Sequence, residues 1–225
     1  MPSIGLTTLA DCKTLLNIGS GDTSKDALLT LLIGAISTEV ETFLSRKLGT
    51  TDYVEQVPVN GRQLLQMPQW PINSIASIVE STVTLVPGQD YLLLPQYLAS
   101  GQIYRGSGWT GPMWVRGLTA DPFAGQIIIT VSYNAGYVLP GDTAVSGIDP
   151  LPKDIQLCVS LMVSKAYGLS QSGNLGENLA SIKEGGLALA YDNPSKIPTD
   201  LFGIVAGMPM QFASYLTPYR RWAVA

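Results

Sequence analysis

The sequence contains no histidine. That absence removes the side chain most often used as a general base near neutral pH. With it go Ser-His-Asp triads, Cys-His nucleophile pairs and nearly all zinc sites. Cysteine is scarce as well. Cys12 and Cys158 stand alone, too far apart for a compact metal motif. Each falls among apolar residues of an expected helix, where two buried reduced thiols are expected rather than a disulfide. Charge is thin: Lys, Arg, Asp and Glu make up 13% of the chain, against roughly 25% in an ordinary soluble domain. Because interface cores are depleted of Lys, Glu and Asp, the shortage points toward an obligate oligomer. The net charge of −4 excludes a pervasive basic field and hence sequence-independent nucleic-acid binding over the whole surface. Long apolar runs are missing too. LLTLLIGAI, from Leu28 to Ile36, is too short to span a bilayer and is bounded by Asp26 and Glu39. The opening MPSIGLTTLADC has no basic start, so no signal peptide is expected. Pro194 disqualifies Asn193 as a glycosylation acceptor. A soluble, intracellularly made protein is expected.

Other enzyme signatures fail on inspection. No serine lies three residues before a lysine, so the S-x-x-K pattern is absent. GSGWTG, Gly106 to Gly111, matches G-x-G-x-x-G literally. A dinucleotide site needs a helix to follow, yet Pro112, Met113, Trp114, Val115, Arg116 and Gly117 carry no helical pattern. Glu39 and Glu41 are two apart on a helix and so point different ways. Glu177 and Glu184 have no apolar surroundings to raise a pKa. No catalytic residue, metal site or cofactor is expected.

What is present reads as helices around a β block. Thr7 or Thr8 caps a short helix with Leu9, Cys12, Leu15 and Leu16 at helical spacing. After the turn NIGSGDT, Ser24 or Asp22 caps a longer helix reaching to about Leu48. Its expected apolar face is Leu28, Leu31, Leu32, Ala35, Ile36, Val40, Phe43 and Leu44, with Arg46 and Lys47 at the C-terminal dipole and Gly49 as the stop. Asn60-Gly61 predicts a tight hairpin between two strands, and Pro87-Gly88 a second. Ile72, Ile75 and Ile78 recur every three residues, which leaves that strand's register open. QIYR and QIIITVSYNAGY are further strands, the latter central because it is rich in β-branched residues. Pro152 opens a third helix facing Ile155, Val159, Met162, Val163 and Ala166 inward. Weak strands flank Gly185-Gly186. The expected fold is α+β: a small helical bundle of two N-terminal helices plus a later third (1–50 and 151–170), an inserted antiparallel β block (51–150) and an extended C-terminal arm (171–225).

Tryptophans at 70, 109, 114 and 222 suggest stacking on sugars or bases, or loop filling. Arg105 and Arg116 flank the GSGWTGPMW loop. With Trp109 and Trp114 they form a candidate interface anchor, since Trp and Arg dominate binding hot spots. A carbohydrate-binding or adhesin-like module is the alternative this loop raises.

The opening LTTLADCKTLLNI, the turn bearing Asp22 and Asp26, and DALLTLLIGAISTEVETFLSRKL resemble the N-terminal helical pair of head–tail connector (adaptor) proteins of tailed bacteriophages. The Pro-started helix LPKDIQLCVSLMVSKAY, the segment SIKEGGLALAY and the closing YLTPYRR continue the resemblance in order. It implies a non-enzymatic virion protein in the neck at the portal vertex, made in the host bacterial cytoplasm. It implies a ring, dodecameric in many members, that binds the portal protein above and a stopper or tail-terminator protein below. Double-stranded DNA would pass through without sequence-specific binding, and no membrane is involved. On this likeness the C-terminal residues Tyr215, Tyr219, Arg220, Arg221 and Trp222 are expected to leave their own subunit and dock on the portal or a neighbouring copy.

Overall fold

The computed structural model describes residues 5–59, 61–109, 128–171, 179–182, 189–191, 204–205 and 208–221. They divide into two compact units. One comprises Met1–Leu48, Val138–Val145 and Asp149–Ala225; the other comprises Gly49–Tyr137 and Ser146–Ile148.

The first unit is built on helices. Thr8 caps α1 (Leu9–Leu15), its hydroxyl accepting from the Asp11 amide at 3.1 Å. Helix α2 (Asp26–Leu44) starts without the side-chain cap expected from Ser24 or Asp22. Those residues bond each other instead, the Ser24 amide donating to the Asp22 carboxylate at 2.9 Å. The entry to α2 is held by Lys13, whose buried ammonium sits 2.6 Å from Asp26 and donates to the Asp22 carbonyl at 2.8 Å. At the other end Ser45, in the left-handed region at φ 56°, closes the helix before the expected stop at Gly49.

Helix α2 buries Leu29, Leu32, Ile33, Ile36, Ser37, Val40, Phe43 and Leu44. The buried stripe is therefore rotated from the expected face. Leu31 is 66% exposed and Ala35 is also exposed. The run LLTLLIGAI is apolar on every side, so its periodicity gave no unique phase. Helix α4 (Lys153–Gln171) follows Pro152 and buries Ile155, Val159 and Val163 of the expected face together with Cys158, while Met162 and Ala166 are half-buried. Gly168 lies within it and does not end it. Polar groups cross-link the bundle. The Thr7 and Ser160 hydroxyls lie 2.6 Å apart, and the Leu6 amide donates to Ser37 Oγ at 2.9 Å. Short antiparallel pairs complete this unit: β7 (Leu179–Ile182) with β8 (Leu189–Tyr191), and β9 (Ile204–Val205) with β10 (Met208–Pro209). The first pair flanks Gly185-Gly186, as expected.

The second unit holds a four-stranded antiparallel sheet. Its members are β1 (Thr51–Pro58), β3 (Ile72–Glu80), β4 (Val83–Thr84) and β6 (Ile128–Ala135), in the order β1-β6-β3-β4. The β-branched strand β6 is central, as its composition predicts. Two register shifts explain the threefold spacing of isoleucines in β3. Bulges fall between Ile72 and Ser74 and between Ile75 and Ser77, each inserting one residue opposite β6. Each insertion turns a period of two into three, so Ile72, Ile75 and Ile78 all meet the same core.

The hairpin expected at Asn60-Gly61 does not form. Strand β1 pairs with β6, whereas β2 (Leu64–Gln66) pairs with β5 (Gln102–Tyr104) in a separate two-stranded sheet. Nor does Pro87-Gly88 join two strands. Strand β4 pairs back on β3 across Ser81, which takes φ 58°, and Gly88 turns the chain with its amide donating to the Tyr91 carbonyl at 2.8 Å. Pairing of β1 and β3 to the distant strand β6 outweighs the local preference for these hairpins. A single-turn helix, α3 (Pro95–Leu98), leads into β5. At the end of β6, Gly136 has φ 112°, and a Cβ there would stand 2.6 Å from the Gly49 carbonyl oxygen, so only glycine fits.

The helix phase is directly testable. Leu29→Ala removes a fully buried side chain and is expected to destabilise by about 2–5 kcal/mol, whereas Leu31→Ala should stay within about 0.5 kcal/mol in denaturant unfolding of the isolated chain. Burial pushes the Cys12 and Cys158 thiols up to about 11 from an ordinary 9.0. Folding thus favours the protonated thiols. Their contribution is fully present below pH 9 and is lost as the pH rises toward 11. Thiol-reagent labelling should be slow in the native protein at pH 8 and should accelerate together with loss of helix above pH 9.

Candidate docking surfaces

The C-terminal residues were expected to stand apart from their own subunit. The structure places them on it. Helix α5 (Met210–Leu216) buries Ala213 and Leu216, the latter completely. Thr217 then bonds the Ala213 carbonyl at 2.6 Å and begins a 3-10 turn through Tyr219. The Tyr219 hydroxyl donates to Asp154 in the first turn of α4 at 2.6 Å. The Arg220 guanidinium lies over the ring of buried Phe43, 5.0 Å from its centroid. The Arg221 amide donates to the Leu44 carbonyl at 2.9 Å. That carbonyl is among those left without a helical donor at the end of α2, so the tail completes the helix terminus. Met210, Phe212, Ala213, Tyr215 and Leu216 are apolar, but seven residues make only about two helical turns, too short for periodicity to announce a core-facing helix. This is why the segment reads as an arm.

Within this tail the candidate residues separate. Tyr219 and Arg220 are anchors to the subunit's own helices. Tyr215 is 65% exposed, and Arg221 is exposed as well. Trp222 lies outside the described residues.

The Trp-rich loop separates likewise. Trp109 is not a surface anchor: it is 1% exposed and its indole N–H donates to the Ile103 carbonyl at 3.2 Å. It packs with Tyr91, Ile103, Leu65 and Met67 in the core of the β unit. A large aromatic that can satisfy its N–H inside a sheet core is better buried than exposed. Arg105 sits over the Trp109 ring at 5.5 Å and pairs with Glu80 at 2.9 Å, both side chains being largely shielded. Trp114 and Arg116 lie outside the described residues. The glycines of GSGWTG also find a structural role. Gly108 takes φ 79°, and a Cβ there would meet the Gly61 carbonyl oxygen at 2.9 Å. Gly108 thus marks a close crossing of two backbone segments, and the segment that follows Trp109 lies outside the described residues.

A polar contact that the sequence did not signal joins Tyr133 to Glu55 inside the sheet. The Tyr133 hydroxyl donates to the Glu55 carboxylate and accepts from the Gln69 amide. Burial, reinforced by the neighbouring carboxylate, drives that phenol far above its ordinary range and keeps it protonated. It serves as a fixed donor in the core. No group of three or more acidic or thiol side chains able to hold a metal occurs among the described residues.

With this geometry in place, residues 6–68 match the model of the phage gp6-like head-tail connector protein family. The resemblance read from LTTLADCKTLLNI and the helix after it is thereby shown for the N-terminal part of the chain. No curated protein matches. A chain in the neck of an empty GTA particle computed with C6 symmetry is similar at 15% identity, covering 98% of this chain and 92% of that one with a TM-score of 0.50. It shares the fold over almost the whole length. A chain in the neck of a native GTA particle computed with C12 symmetry aligns at 15% identity over 98% and 91%, with a TM-score of 0.47. One in the virion of a native gene transfer agent (GTA) particle aligns at 14% over 98% and 92%, with a TM-score of 0.49.

The tail's packing predicts that Leu216→Ala costs about 2–5 kcal/mol and Tyr219→Phe about 1 kcal/mol, both read by chemical unfolding of the helical unit. Trp109→Ala should cost about 3–5 kcal/mol in the β unit. Wild-type stability for Leu216→Ala would show that the tail does not belong to the bundle.

Proposed function

We propose that this chain is a structural, non-enzymatic subunit of the neck of a phage-like particle, a ring-forming head–tail connector. It binds the portal protein on one side, meets a stopper or tail-terminator protein on the other, and extends the DNA channel toward the tail. The single observation that carries the reading is the family match over residues 6–68, supported by a fold that follows a neck protein across 98% of the chain. The low charge content fits copies packed side by side in a ring, dodecameric on this reading. A net negative charge fits a conduit that lets DNA pass without holding its phosphates.

On this reading Tyr215 and Arg221 are the docking residues, because they remain exposed while Tyr219 and Arg220 fasten the segment beneath them. Tyrosine and arginine are both side-chain types that suit a binding hot spot. The carbohydrate-binding alternative loses its main residue, since the buried Trp109 ring offers no face to a sugar.

Removing residues 214–225 would also remove Leu216 from the core, so a truncation cannot separate docking from folding. The double variant Tyr215→Ala, Arg221→Ala tests docking alone. It is expected to keep the wild-type melting temperature and to weaken attachment to portal-bearing capsids by at least about tenfold. Wild-type attachment would end the docking role of these residues. Particles imaged at the portal vertex without density for this chain would end the connector reading itself.

A further inference from the structure

The outward face of α2 has no charge. Ala27, Leu31, Ala35, Thr38 and Thr42 form the exposed stripe along the helix, and Gly34 borders it. The threonine hydroxyls are spent on their own helix: Thr38 donates to the Gly34 carbonyl at 2.9 Å and Thr42 to the Thr38 carbonyl at 2.8 Å. The stripe therefore offers methyl groups and few free polar atoms. A solvated helix ordinarily carries charge on the side opposite its core, and one that is apolar all round belongs in an interior. Gly34 sharpens the point. Glycine in mid-helix is unfavourable relative to alanine, and a Cβ built at Gly34 meets nothing within 4 Å. Nothing among the described residues of the subunit requires glycine there.

Helix α4 of the same unit also exposes leucines. Leu157 and Leu161, one turn apart, are 53% and 43% exposed. The α2 face is one exposed leucine, Leu31, flanked by alanine, glycine and threonine, and the α4 face is a pair of leucines. The two faces are complementary at their margins. Of the acids in α2, Asp26 pairs with Lys13 and Glu41 with Lys47 of the same chain, which leaves Glu39 at the margin of the stripe, while α4 carries Lys153 and Lys165 four residues to either side of the leucine pair. Like charges would meet at the margins of a contact between identical faces, which disfavours a two-fold pairing. A contact between unlike faces repeats from copy to copy and closes into a ring when the rotation allows.

We infer that the α2 stripe around Leu31 and Gly34 receives Leu157 and Leu161 of α4 from the next copy of this chain, forming the lateral contact of the ring. The inference rests on the ring reading above and assigns it a surface. Both faces are exposed in the subunit, so substitutions there spare the fold.

The test uses the full chain carrying Leu31→Cys or Leu157→Cys, with Cys12 and Cys158 buried and slow to react. Under mild oxidation an equimolar mixture of the two variants should give a covalent dimer that neither variant gives alone. The double variant should give a ladder of higher oligomers. Gly34→Leu should lower the association constant at least tenfold in sedimentation analysis without lowering the melting temperature. Cross-linking within a single variant only, or unchanged association of Gly34→Leu, overturns the assignment. A multimer that persists in native mass spectrometry without the mixed cross-link shows that copies meet elsewhere and leaves the ring reading standing. A chain that stays monomeric up to millimolar concentration, alone and with portal-bearing capsids, overturns both.

Discussion

The packing of α2 against α4 is the interaction on which the helical unit depends. Leu29, Ile33, Ile36 and Val40 on one helix and Ile155, Val159 and Val163 on the other are buried, and α1 and α5 add to the same core. Each of the smaller devices serves to hold this pair in place. Lys13 sets where α2 begins. Ser45 and the Arg221 amide settle its end. Thr7 and Ser160 tie the segment before α1 to α4. Hydrophobic burial provides most of the free energy, and these polar contacts fix the geometry in which it is collected.

Where local chemistry decided the structure, the sequence was readable. Thr8 capped α1, Pro152 preceded α4, and the β-branched run of β6 marked the middle of its sheet. The α+β class followed from the segregation of helices and strands. Where several answers satisfied the local rules, it was not. A helix apolar on all sides has no preferred phase, so Leu31 was assigned inward when Leu29 and Ile33 are. Asn60-Gly61 carries hairpin chemistry, but no local rule reports that β1 finds the distant strand β6. The isoleucines of β3 followed neither period because two bulges had been inserted, and bulges leave no mark on composition.

The candidate sites follow the same division. Trp109 and Arg105 carried the right chemistry for an interface, and the structure uses both inside one subunit. Aromatic and guanidinium groups suit binding and core packing equally, so residue type alone did not choose between them. The tail divided along its length for a related reason. Tyr219 and Arg220 found partners on α4 and α2, leaving Tyr215 and Arg221 on the outside. What separates an exposed residue from an anchor here is its position along a short stretch of chain.

The Lys13 ammonium has a wider consequence. Because a single side chain grips both the Asp22 carbonyl and the Asp26 carboxylate, the approach to α2 is steered from a distance rather than by the residues that lie between. The exposed glycines and serine at positions 19 to 21 carry none of that grip. The connection is a strap fastened at its far end, and such a strap accommodates changes of length or composition along its span while the two helices keep their alignment.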